Sequence, residues 1–195
     1  MALTDEQNLS HMKEVLLRGT SVLDQLNIPY VLVGGTLLGI IRENNLLGHD
    51  GDVDVDVLVE DVGDIDEFLK KINSVSDTKA NFHNQYFTIQ YDFGGNSTNF
   101  DIFIVFNKDG KRFRHFWSKE SDNFEDAPCL VWPEEFYYKD KWEDVEFLDR
   151  KFKVPARPEE YLETMYGEDW RTPKKQWSWP SSAKNHKQYK FIWEK

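Results

Sequence analysis

The chain has 195 residues, enough for one medium-sized domain with a sizeable core. Asp and Glu (35) outnumber Lys and Arg (24), and the formal charge of −11 excludes the basic footprint of a general nucleic-acid or anionic-membrane binder. Aromatic residues make up 15%, too many for a disordered acidic chain, and a single cysteine, Cys129, excludes an internal disulfide and a cysteine-based zinc cage.

The first residues show no basic region followed by an apolar run, so no signal peptide is expected; the expected compartment is the cytoplasm, with the secretory pathway as the alternative for an excised domain. No apolar stretch approaches the ~18 residues of a membrane span. Asn8-Leu9-Ser10 and Asn96-Ser97-Thr98 are glycosylation sequons, of consequence only in a secreted chain. Leu9, Met12, Leu16, Gly19, Leu23 and Leu26 recur at steps of three and four, with Val15 and Val22 widening the stripe, and predict an amphipathic helix that ends at Asn27-Ile28-Pro29. Residues 30–33 read as a short buried strand closed by Gly34-Gly35. Thr36 is the expected N-cap of a short helix over 37–42, broken at Glu43-Asn44-Asn45. Residues 52–59 alternate with period two and predict a strand.

A helix is expected over 64–72, with Ile65, Phe68, Leu69 and Ile72 on one face. Residues 85–93 and 99–106 read as two strands of a hairpin around Gly94-Gly95-Asn96, followed by a turn at 107–110. The pattern weakens from Lys111 onward. Cys129 reads as a small buried hydrophobe. A helical stretch returns within 155–166 and is stopped by Gly167. Residues 1–173 are expected to form one catalytic domain. The segment 174–195, rich in Lys, Trp and Ser, either docks through Trp177, Trp179 and Trp193 or stays mobile.

The chemistry lies in two strands. In Asp52-Val53-Asp54-Val55-Asp56 the aspartates share one face and the valines the other. Same-face carboxylates lie only ~6–7 Å apart and repel, most strongly where water is excluded. A hard cation resolves that conflict, and Mg²⁺ (or Mn²⁺) favours carboxylate oxygens while keeping positions for substrate phosphates. Asp52 and Asp54 are therefore candidate metal ligands, the alternative being a solvated acidic strand face. Asp56 lies too deep, and Gly51 leaves the direction of Asp50 open. Asp101 is a lone carboxylate in the apolar strand Phe100-Asp101-Ile102-Phe103-Ile104. Such a group needs a partner, either the same metal or an Arg or backbone amides. Gly34-Gly35-Thr36, between a strand and a helix N-terminus, is a place where backbone N–H groups cradle a phosphate, although Gly-Gly alone also marks an ordinary turn. The order of strand, Gly-Gly, short helix, Asp-x-Asp strand and single-Asp strand matches an α+β nucleotidyltransferase fold.

The stretch Gly34-Gly35-Thr36-Leu37-Leu38-Gly39-Ile40-Ile41-Arg42, then Asp50-Gly51-Asp52-Val53-Asp54-Val55, then Phe100-Asp101-Ile102-Phe103, resembles the signature of the LicD/fukutin family in the polymerase-beta-like superfamily. The closing pattern agrees: Val154-Pro155, Tyr161-Leu162, Tyr166-Gly167 and Trp170 stand in family order. The resemblance covers about 30–173. It departs where the family has a proline, a tryptophan and three aspartates, here Gly48, His49 and Asp50-Gly51-Asp52. The core Asp-x-Asp survives, and the substrate edge near His49 differs.

The resemblance implies a small mixed sheet flanked by helices with an aromatic-rich C-terminal extension. It also implies a metal-dependent phosphotransferase. Its donor would be a nucleoside-diphosphate-linked alcohol or sugar, such as CDP-choline or CDP-ribitol, and its acceptor a glycan hydroxyl, with CMP released. Catalytic and metal roles fall to Asp52, Asp54 and Asp101, and substrate contacts to Gly34, Gly35, Thr36, Arg42 and His49. Arg42 fits a substrate phosphate or a helix C-terminus equally well. The alternatives are a nucleotidyltransferase that moves NMP to a small molecule or RNA, and a catalytically silent binding domain on the same fold.

Overall fold

The structure is a computed structural model that describes residues 3–83, 86–115, 128–174 and 182–188. Helix α1 spans Asp5–Gln25. Thr4 caps it with a reciprocal pair, its Oγ1 accepting from Gln7 N while its own N–H donates to Gln7 Oε1. Its stripe of Met12, Val15, Leu16, Gly19, Val22 and Leu23 is buried. Gly19 lies against the ring of Phe100, where a methyl group would collide, so the stripe's one glycine sets how closely α1 meets the sheet.

Strand β1 (Val31–Leu32), helix α2 (Gly34–Glu43), strand β2 (Asp52–Leu58), helix α3 (Val59–Val62) and helix α4 (Ile65–Val75) follow. Asp64 caps α4 by accepting from Glu67 N at 2.9 Å. Strands β3 (Ala80–His83), β4 (Tyr86–Asp92), β5 (Ser97–Lys108), β6 (Lys111–His115) and β7 (Pro128–Pro133) complete most of the main sheet. Two 3-10 turns, Glu134–Tyr137 and Lys139–Lys141, lead to a separate hairpin of β8 (Glu143–Phe147) and β9 (Arg150–Val154). Helix α5 (Pro158–Tyr166) and strand β10 (His186–Gln188) close the described chain.

Two local expectations are corrected. Helix α2 begins at Gly34, three residues early, and its N-cap is Val33, not Thr36. Cap preference favours Thr36, but its hydroxyl is engaged by Asp54 N–H, leaving the helix to start at the glycines. Strand β2 ends at Leu58, and Val59 opens α3.

The sheet runs β1-β2-β5-β6-β7-β10, with β3 paired to β4 and β4 to β5. The β2–β5 pair is parallel and the other strand pairs are antiparallel. Because β2 holds one edge of β5 from Asn99 to Val105, β4 and β6 share the other edge in succession. Side chains alternate, so Val53, Val55, Val57, Phe87, Ile89, Phe100, Ile102 and Ile104 form one buried face, against which α1 and α4 pack. The opposite face carries Asp52, Asp54 and Asp56, then Asp101 and Phe103, then Tyr86 and Thr88, then Arg112 and Arg114.

The C-terminal block covers the β6–β7 half of that polar face. Trp132 stacks on Tyr161 with centroids 5.3 Å apart, and Tyr161, Leu162, Met165 and Trp170 are buried. Within the 174–195 segment, residues 182–188 are fastened by backbone: Lys184 N donates to Met165 O, Val131 N donates to Asn185 O, and β10 pairs with β7. Trp177, Trp179 and Trp193 lie outside the described residues. Cys129 is buried as expected, and its thiol is pushed up to about 11 by that burial. No helix among the described residues is long and apolar enough to cross a membrane.

Candidate active site

Parallel pairing of β2 with β5 sets Asp54 directly beside Asp101, with Asp52 one step along the same face. The three carboxylates offer ligand atoms within 4.8 Å of one another. Asp54 is pinned through its backbone: its N–H donates to Thr36 Oγ1 at 2.9 Å, and its carbonyl accepts from Val33 N at 3.2 Å. Asp101 is buried, and its Oδ1 accepts from Thr88 Oγ1 at 2.7 Å.

The electrostatics are those of a site short of positive charge. Burial, with the adjacent Asp50, pushes Asp52 up to about 7. Burial, reinforced by Asp52 and opposed by the Thr88 hydroxyl, pushes Asp101 up to about 7. Asp54 is driven well above the usual carboxylate range by burial and then by Asp52, Asp101 and Asp50. An all-oxygen set whose members raise one another in this way fits a hard divalent cation such as Mg²⁺ or Mn²⁺.

The glycines at the start of α2 have a steric reason. A methyl group at Gly34 would collide with the Asp54 carboxylate, and one at Gly35 with that of Asp50; Gly34 also has φ +58°. The helix N-terminus thus meets two aspartates at close range, which its orphan N–H groups and dipole favour. Gly34→Ala should destabilise the fold by at least ~1–2 kcal/mol from the left-handed backbone alone and weaken Mg²⁺-induced thermal stabilisation by displacing Asp54. Denaturant melts with and without the cation check both.

These groups sit in a cavity of about 430 Å³. Asp50, Asp52 and Asp54 form its acidic end, and Gly34 and Gly35 line it beside them. Arg42, His49 and Lys174 supply cationic or basic groups, and Leu38, Leu47, Met165, Tyr166 and Trp170 make its apolar walls. Arg42 stands in the last turn of α2, paired with Glu43 at 2.6 Å and donating to Trp170 O at 3.4 Å, so it ties α2 to the C-terminal block. His49 is exposed at the rim. Thr36 is buried and serves the Asp54 backbone.

Sequence reasoning left three charged cavity residues without a role. Asp50 turns inward, held by Asn8, whose side-chain amide donates to the Gly48 and Asp50 carbonyls. Lys174, placed by the sequence reading in the tail, bonds Asp169 Oδ1 at 2.6 Å and Tyr166 O at 3.2 Å over the cavity. Arg114 lines the cavity floor and forms a buried ion pair with Asp56 at 2.5 Å. Tyr137 Oη donates to Asp56 at 2.6 Å, and Tyr161 Oη lies 3.3 Å from Tyr137 Oη. Burial alone would lower the Arg114 pKa, but Asp56 holds it protonated. The signal for Arg114 was Asp56 itself, the third aspartate on the same face of β2 and a buried carboxylate that needed a cation of its own.

A family model described as LicD/FKTN/FKRP, nucleotidyltransferase domain, matches residues 27–157. The chain belongs to this family. Ribitol-5-phosphate transferase FKTN of Macaca fascicularis and that of Homo sapiens are each 27% identical to it over 186 residues, covering 89% of this chain and 36% of theirs. The uncharacterized protein T07A5.1 of Caenorhabditis elegans is 26% identical over 195 residues, covering 94% of this chain and 50% of its own. The LicD-family chain therefore spans a third to a half of the length of these curated relatives. Among solved structures, the CdnE cyclic dinucleotide synthase of Elizabethkingia meningoseptica superposes with a TM-score of 0.38 at 11% identity, over 84% of this chain and 56% of that one. The α+β architecture, a mixed sheet flanked by helices, accords with the family's nucleotidyltransferase domain.

Proposed function

We propose that this LicD-family chain is a metal-dependent phosphotransferase that moves a phospho-alcohol from a CDP-linked donor, such as CDP-ribitol or CDP-choline, to a glycan hydroxyl and releases CMP. The observation that carries the reading is the cavity itself, lined by Asp50, Asp52 and Asp54 together with Arg42 and Lys174, in a chain whose relatives include ribitol-5-phosphate transferases. The catalytic unit includes the C-terminal block through Trp170, which supplies part of the cavity wall.

Asp52, Asp54 and Asp101 would hold Mg²⁺ or Mn²⁺, whose charge offsets that of the diphosphate and its leaving group. Arg42, Lys174 and His49 bind the donor's phosphate oxygens. The N–H groups at Gly34 and Gly35 orient the same oxygens, and the apolar wall of Leu38, Leu47, Tyr166 and Trp170 excludes water. The acceptor hydroxyl forms the new P–O bond as the bond to the bridging oxygen breaks, and CMP leaves with that oxygen. Asp101 would take the acceptor's proton on the carboxylate oxygen not held by Thr88. With donor labelled in both phosphates, release of CMP supports this reading, and release of diphosphate shows nucleotidyl transfer instead.

A pH dependence follows from the carboxylates. Unfolded, Asp titrates near ~3.9, whereas Asp52 and Asp101 titrate at about 7 in the metal-free fold. The fold binds more protons than the unfolded chain in that window. Their contribution to stability is therefore complete below ~4 and lost as pH rises through about 7. Metal-free protein should melt lower at about pH 8 than at about pH 5, and added Mg²⁺ should raise the melting temperature more at the higher pH. Thermal melts at both values with and without the cation test this.

A further inference from the structure

We infer that Thr88, on the strand next to the two that carry the aspartates, is a positioning residue for the proposed metal centre. Its hydroxyl holds one oxygen of Asp101 and leaves the other oxygen, with the carboxylate's charge, to the cation. This inference rests on the metal-dependent reading proposed above.

Register sets three side chains abreast. Asp54 on β2 pairs with Asp101 on β5, and Asp101 pairs in turn with Thr88 on β4, all on the polar face. Phe87 and Ile89, on either side of Thr88, are buried in the core on the opposite face, so β4 cannot slip by one residue without exposing them. Residues directly opposite on antiparallel strands have Cβ atoms ~4.5–5.5 Å apart, a gap that a hydroxyl and a carboxylate close with one hydrogen bond. The Thr88 hydroxyl closes it, donating to Asp101 Oδ1 at 2.7 Å. That donation spends its single hydrogen. Branching at Cβ restricts the threonine's χ1, which leaves the hydroxyl little room to turn away. Thr88 is 6% exposed and Asp101 5%, so solvent does little to loosen the bond.

The chemistry of the partner separates two buried carboxylates of the same face. Asp56 faces the guanidinium of Arg114 at 2.5 Å and accepts from Tyr137 at 2.6 Å, so its charge is already answered and it serves the fold. Asp101 is given a neutral donor instead. A hydroxyl fixes the direction of a carboxylate without supplying a counter-charge, which suits a group whose charge is reserved for a cation. Without that bond, repulsion from Asp52 and Asp54 is free to turn the Asp101 carboxylate out of the ligand set.

Titration calorimetry of Mn²⁺ into the full metal-free chain tests this. Thr88→Val keeps the branched shape and removes the donor, and should weaken Mn²⁺ binding by roughly tenfold or more. Thr88→Ser keeps the donor and removes a methyl group, and should bind within about threefold of wild type. A residue that only packed would give the reverse order, because Val preserves the packing and Ser does not. Thr88→Ala should fall with Thr88→Val. Ser and Ala both lack the methyl group and differ in the hydroxyl, so that pair decides the matter if the Val variant fails to fold. Wild-type affinity in Thr88→Ala, or an equal loss in Thr88→Ser, overturns the role of Thr88 and leaves the metal reading intact. A wild type that takes up no Mn²⁺ overturns the metal reading and this inference with it.

Discussion

Asp54→Asn is expected to abolish transfer while leaving the protein folded. Under the proposed reading the Asp54 carboxylate is central to the ligand set, flanked by Asp52 on its own strand and Asp101 on the next. A bound cation contributes several kcal/mol of transition-state stabilisation, so loss of its central ligand should cost roughly 10³-fold or more in kcat/KM. Stability should move the other way. In metal-free protein Asp54 is held well above the usual carboxylate range by burial and three neighbouring carboxylates, which outweigh the attraction of Arg114, so Asn replaces a group whose charged form the site disfavours. Asp52→Asn and Asp101→Asn should behave alike. The melting temperature without metal should hold or rise, and the increment added by Mg²⁺ should vanish. Near-normal turnover in Asp101→Asn would remove that residue from the set.

The largest effect on stability is expected one step deeper, at Arg114. Arg114 and Asp56 are each only 1% exposed, and their ion pair is closed by Tyr137. Arg114→Met leaves the Asp56 carboxylate buried without its counter-ion and should cost ~3–5 kcal/mol in denaturant unfolding. The double variant Arg114→Met, Asp56→Leu removes both charges and should recover most of that loss, because well-packed apolar pairs of similar volume often replace a buried ion pair at no cost. A double variant as unstable as the single one would mean that Arg114 acts through something other than Asp56, such as its stacking on Phe103.

The same two residues show where the sequence could be read and where it could not. The period-two pattern of β2 placed its valines in the core and its aspartates together because alternation is a local property of the strand. Asp101 stood out as one charge in an apolar run. The partner of Asp56 stands 58 residues later in Lys111-Arg112-Phe113-Arg114, where the sequence pattern weakens and pointed to no strand. The structure shows Arg112 engaged with Glu60 and Arg114 with Asp56, contacts set by the fold and not by spacing. Thr36 failed as a cap for a related reason: a local preference lost to a hydrogen bond with a strand 18 residues away. The inward turn of Asp50 depends on Asn8, 42 residues earlier, so Gly51 alone left its direction open.

That last contact has a bearing on where such a chain can work. Asn8 is the acceptor residue of the Asn8-Leu9-Ser10 sequon, and its side-chain nitrogen is the atom that holds the Gly48 and Asp50 carbonyls. An N-linked sugar is attached to that same nitrogen, replacing one of its hydrogens with a bulky group at the mouth of α1. Glycosylation and the anchoring of Asp50 compete for a single atom. A sugar on Asn8 would leave that nitrogen a single N–H, enough for one of the two carbonyls and not for both.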